Sequence, residues 1–110
     1  VFNYREGKPV ETGMMFFGLI MADHAKCGIN TMFNTGTVVG VSANVFGGDF
    51  PPKFIPSFSW GGSRWLRTFS FDKALETAAK MMERRGLQLS EADIHILKTI
   101  FEREARYRRD

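Results

Sequence analysis

The sequence predicts an all-β core, a parallel β-helix of hexapeptide repeats, followed by two C-terminal α-helices. Three observations carry that reading. Residues 21–48 divide into sixes without a gap, and the first place of each six is apolar: Met21, Cys27, Phe33, Val39 and Val45. The fifth place is small throughout (Ala25, Thr31, Thr37, Ala43), and the second is mostly small (Ala22, Gly28, Asn34, Gly40, then Phe46). Beyond residue 70 the apolar spacing changes to that of amphipathic helices. Neither a 3.6-residue helix nor a period-2 strand produces the three-way pattern of 21–48.

Each six reads as one short strand plus one turn, and three sixes make a triangular coil. The first-place side chain points inward and stacks on its equivalent one coil away, which places Cys27 over Val45. Small fifth-place residues suit the cramped corner. Second-place residues lie by the turn, where Gly or Asn tolerates positive φ. Cys27 therefore reads as a small core residue rather than a nucleophile. One cysteine builds no disulfide framework and fits a reducing cytoplasm. No apolar run is long enough to span a bilayer and no cationic leader precedes one, so nothing marks export or a membrane partner. At 110 residues the chain can hold one domain with a real core. It opens in what reads as the middle of a coil, as a fragment would.

Taken in order, residues 1–12 are polar and turn-prone and break the hexad rhythm. Gly13–Ile20 adds apolar bulk and leads into the first clean six. A loop of this kind can protrude and reach a ligand or a neighbouring subunit. Ile29, Met32, Val38 and Val41 fall on outward places, in rows that a monomer would leave exposed, which points to self-association. Residues 49–69 depart from the hexads: Pro51, Pro52 and Pro56 stiffen an extended path, and Phe54, Phe58 and Trp60 read as a wrap on the prism or a sugar platform. Residues 1–62 thus form the repeat unit with its loop and wrap, and 63–110 a helical cap. Ser70 or Asp72 can cap the first helix, with Phe71, Leu75, Ala78 and Met82 on one face and an end at Arg84-Arg85-Gly86. Ser90 caps the second, with Asp93 three residues on and Ile96, Leu97, Ile100, Phe101 and Ala105 inward.

Residues 1–62 carry four basic and four acidic side chains, so the net charge of +3 comes from the helical part and its end at Arg103, Arg106, Arg108 and Arg109. Glu102, Glu104 and Asp110 are interspersed there, which favours a solvated helix end over nucleic-acid binding. A histidine-bound metal is not expected, because only His24 and His95 are present and His95 lies on a predicted helix. His24 stands at the fourth place of its six, facing outward at a turn. It is a candidate catalytic base, although no partner to set its tautomer is identifiable.

The hexad pattern resembles the bacterial transferase hexapeptide family, whose members form left-handed β-helices. Phe2–Val10, with Asn3-Tyr4-Arg5, and the run Thr12–Thr31 resemble the C-terminal half of the bifunctional sugar-1-phosphate nucleotidylyltransferase/acetyltransferases. That group includes the enzyme that forms UDP-N-acetylglucosamine. Cys27–Gly40 is similar to a sugar nucleotidylyltransferase subgroup. The resemblance implies a left-handed parallel β-helix, a homotrimer, and acetyl transfer from acetyl-CoA to a hexosamine 1-phosphate. It implies that Asn3 and Tyr4 contact the sugar phosphate and that Asn30, Ser42 and Asn44 line an acyl-CoA groove between prisms. The residues by themselves also allow Asn3 to cap a turn, Tyr4 to pack, and the other three to be ordinary turn residues. Two departures stand out. Met15, Phe16 and Phe17 replace the family's basic residues, and the family's base histidine lies upstream of the Asn-Tyr segment. A non-catalytic trimerisation scaffold for an upstream nucleotidylyltransferase domain is the alternative reading.

Overall fold

Nine strands of two or three residues precede two α-helices in the computed structural model, which describes residues 1–13 and 18–108. The strands are β1 (Phe2–Asn3), β2 (Lys8–Pro9), β3 (Ile20–Met21), β4 (Lys26–Cys27), β5 (Val38–Val39), β6 (Asn44–Val45), β7 (Phe54–Ile55), β8 (Ser59–Gly61) and β9 (Leu66–Thr68). Helices α1 (Phe71–Arg84) and α2 (Glu91–Arg103) follow, and a 3₁₀ turn occupies Glu104–Tyr107.

The expected left-handed parallel β-helix is not what the chain forms. It is a small α+β fold whose strands divide among three separate sheets: an antiparallel β1-β2 pair, a parallel β3-β5-β7 set, and a mixed β4-β6-β8-β9 set. A solenoid would instead present long continuous parallel sheets. The physical reasons lie in the sequence. Parallel stacking at eighteen residues joins Ile20 to Val38 and Cys27 to Val45, but the next offset drops to sixteen, Val38 to Phe54 and Asn44 to Trp60. The Pro51-Pro52 interruption falls in that shortened stretch, and β9 then turns back antiparallel on β8. Parallel pairing is confined to two of the three sheets among the described residues.

Backbone handedness also sits elsewhere than the second places. Left-handed φ occurs at the fourth place of each of the four complete sixes: His24 (59°), Asn30 (63°), Gly36 (78°) and Ser42 (53°). The second-place Gly40 is needed for space instead, since a Cβ there would run into the backbone nitrogen of Ser57. His24, Ser42 and Phe58 (57°) form one corner column, linked by Ser42 N–H donating to the Asp23 carbonyl and Phe58 N–H to that of Val41.

Two cores result. An aliphatic one joins Val39, Ala43, Val45 and Ile55, with Ala25, Phe33 and Leu66 against it. An aromatic one gathers Phe58, Ala74 and Leu97, with Val41, Phe71, Leu75 and Phe101 around them. Cys27 pairs with Val45 as expected but is exposed, because β4 is an edge strand with no further strand beside it among the described residues. Val38 is buried and Val41 lies under the helices, so neither belongs to an outward row, whereas Ile29 is 95% exposed and Met32 is exposed as well.

Helix α1 starts at Ser70 without a side-chain cap. It closes at Gly86 (φ 73°), with Leu87 N–H reaching the Met82 carbonyl and Gly86 N–H that of Glu83. Helix α2 starts on a full capping box of Ser90 and Asp93. Its inner face is narrower than expected: Leu97, Ile100 and Phe101 pack, while Ile96 and Ala105 face outward. Of the residues singled out in the sequence, Met15, Phe16, Phe17, Arg109 and Asp110 lie outside those described.

Candidate functional site

Strand β9 ends a sheet, and its free side borders a cleft of about 520 Å³. The turn Gly62–Trp65 and β9 supply one wall, Pro52–Pro56 and the end of the 3₁₀ turn the other. Gly61 (φ 145°) and Gly62 make the turn sharp, because a Cβ on either would strike the carbonyl oxygen of Trp65 or Phe46. The charged groups of the cleft are all cationic, Arg64, Arg67 and Arg108, with no histidine or carboxylate among the lining residues. Arg108 is engaged by the protein itself. Its guanidinium donates to the Ser57 carbonyl (3.0 Å) and the Phe101 carbonyl (2.7 Å) and lies 4.4 Å from the centroid of the Phe101 ring. Arg67 stacks on Trp65 at 5.2 Å. Phe54, Trp65 and Tyr107 give the cleft its ring-lined sides. Such a site suits a ligand with an anionic group and a ring, since guanidinium groups match phosphate oxygens in bidentate geometry.

Asn3 and Tyr4 lie beside this cleft's aromatic wall and are occupied. The Asn3 side-chain oxygen accepts from the backbone N–H of Arg5 (2.9 Å) and Glu6 (3.2 Å), fixing the β1-β2 turn. Phe2 stacks on Phe54 with centroids 3.6 Å apart, and Tyr4 and Tyr107 meet both rings edge-on. The Tyr4 hydroxyl donates to Glu104 Oε1 (3.2 Å), which also accepts from Ser57 N–H (3.0 Å). Burial first, and then the Glu104 charge, push the Tyr4 phenol well above its usual range.

The residues assigned to an acyl-CoA groove do not converge. Asn30 is exposed at a turn and Ser42 is enclosed within the chain with its hydroxyl unpartnered, while Asn44 stands on β6 between Lys26 and Trp60. The enclosed Ser42 hydroxyl is not accessible to a ligand. His24 is half-buried at the corner above Ser42, with its carbonyl near Lys26 Nζ (3.4 Å). The Asp93 carboxyl is held below the usual range mainly by its capping bonds to Ser90. No hydrogen bond joins His24 to Ser42 or Asp93 among the described residues. Groups of three or more His, Cys, Asp or Glu side chains able to hold a metal ion are absent among the described residues. No helix among them is long and apolar enough to cross a membrane.

Arg64, Arg67 and Trp65 were legible by one signal that the sequence reading passes over. Gly61-Gly62 between Phe58–Trp60 and Trp65–Phe69 is a hairpin mark, which brings a cationic edge strand against the preceding segment. Comparison of the chain with protein-family models, with curated proteins and with solved structures finds no match in any of the three.

Proposed function

We propose that this chain is the sugar-phosphate-binding part of a cytoplasmic sugar-nucleotide biosynthesis enzyme, holding a hexosamine 1-phosphate in the cleft beside β9. The observation that carries the reading is the combination of Arg64 and Arg67 with the aromatic sides formed by Phe54, Trp65 and Tyr107. Arginine takes the phosphate, and the aromatic faces cover the apolar side of the sugar ring. Acetyl transfer to the sugar amine requires a base to remove its proton as it attacks the thioester carbon. The cleft lining offers none, so the chain binds the acceptor while the base and the acetyl-CoA contacts come from elsewhere. Calorimetry with glucosamine 1-phosphate and with glucosamine tests this. The phosphorylated sugar binds more tightly, and Arg64→Ala weakens it by about tenfold or more. Equal affinity for both sugars, or indifference to Arg64→Ala, overturns the reading.

A second reading, a trimeric scaffold, draws on Ile29, whose side chain is 95% exposed. Sedimentation at three times the monomer mass that Ile29→Asp abolishes supports it, and a monomeric mass for the unaltered chain removes it.

A further inference from the structure

The outward face of the β4-β6-β8-β9 sheet carries an in-register row that the cleft does not explain. Lys26 is opposite Asn44, Asn44 opposite Trp60, and Trp60 opposite Arg67. Side chains alternate across a strand. On β6 the flanking Ala43 and Val45 enter the aliphatic core, as do Ala25 beside Lys26 and Leu66 beside Arg67, so all four members of the row face out together. At roughly 4.8 Å between strands the row spans about 14 Å, longer than a single sugar ring.

Its composition is specific. Trp60 is 39% exposed, and Phe46 (4.9 Å) and Trp65 (5.7 Å) flank it. Asn44 supplies an amide that both donates and accepts. Lys26 and Arg67 stand at the two ends, and neither is in an ion pair among the described residues. Among the described residues the Lys26 ammonium donates only to the His24 carbonyl (3.4 Å), and partial burial already pulls it down from the usual lysine range. Two cations without carboxylate partners call for an anion from outside the chain, and the aromatic group between them calls for ring faces.

We propose that this sheet face binds an acidic oligosaccharide, with a sugar ring on Trp60, a hydroxyl or amide on Asn44, and carboxylates toward Lys26 and Arg67. The assignment goes beyond the cleft reading and does not depend on it. Arg67 borders both surfaces, so Lys26, Trp60 and Arg64 are the informative positions.

The test uses the full chain with hyaluronan oligosaccharides against neutral chitin oligosaccharides of equal length, followed by tryptophan fluorescence and by amide shifts at Lys26, Asn44 and Trp60. The acidic sugar binds in preference. Trp60→Ala weakens it by about tenfold, Lys26→Met weakens it and flattens its salt dependence, and Arg64→Ala leaves it unchanged. Should Trp60→Ala misfold, Asn44→Ala and Lys26→Met, both on the open face, report alone. Equal affinity for the neutral sugar, no binding of the acidic one, or loss through Arg64→Ala with the row variants unaffected overturns the proposal; the last outcome returns the ligand to the cleft.

Discussion

The two cores are built on opposite principles. The aliphatic core rests on parallel register, which sets Val39 on Ile55, with Ala43 and Val45 in the same cluster. The aromatic core has no repeat. It depends on Phe58, fully buried with φ at 57°, and on helix side chains that arrive from far along the chain. Ile55 and Phe58 are three residues apart, yet one belongs to each core. Periodic packing spreads its stabilisation over several similar side chains, whereas the second core concentrates it in one ring held in a backbone conformation that costs about 1–3 kcal/mol.

Phe58→Ala is therefore expected to be the most damaging change, at about 3–5 kcal/mol. Hydrogen exchange should show α1 and α2 losing protection before the β5-β7 and β6-β8 ladders do. Ile55→Ala should cost about 2–5 kcal/mol, with the order of loss reversed. If both variants release all amides in one step, the two cores are a single cooperative unit and the comparison fails. Gly40→Ala comes next, at about 1–3 kcal/mol, because its new Cβ displaces the Ser57 corner that joins the cores; an unchanged denaturation midpoint would show that the corner yields freely. Ser90→Ala should cost about 1 kcal/mol through the α2 capping box, read as a lower midpoint with little change in ladder protection.

The smallest effect is a pH dependence. Tyr4 titrates higher in the folded chain than unfolded, so its contribution is complete below about pH 10, the unfolded value, and declines as pH rises from there towards the folded value. Tyr4→Phe should flatten that alkaline decline, and an unaltered slope would remove Tyr4 as its source.

The six-residue rhythm made Val39, Ala43, Val45 and the Cys27–Val45 pairing legible, since a stacked position needs the same kind of side chain each time. Helix limits were legible from Ser90, Asp93 and Gly86, whose roles are local. The overall architecture was not. Handedness of the corners at His24 and Ser42 leaves no compositional mark when neither glycine nor asparagine is used, and the burial of Val38 and Val41 depends on partners distant in sequence. The same holds for the site. The family resemblance implies Asn3 and Tyr4 as sugar-phosphate contacts, but their polar groups are spent on a turn and on Glu104. The arginines of the cleft become neighbours of Phe54 only once β9 folds back.

One oxygen of Glu104 receives both the Tyr4 hydroxyl and the Ser57 N–H, and the first of these bonds spans 100 residues of sequence. A contact so distant cannot form before Glu104 itself has been synthesised. The ladders, whose partners are sixteen or eighteen residues apart, can close early, but the β1-β2 hairpin must wait for the 3₁₀ turn before it can seat. Loop closure over that span is slow relative to local pairing. The aromatic wall of the cleft, shared by Phe2, Phe54 and Tyr107, is thus completed after the ladders, and the cleft does not exist until Tyr107 has joined the rings of the N-terminal segment.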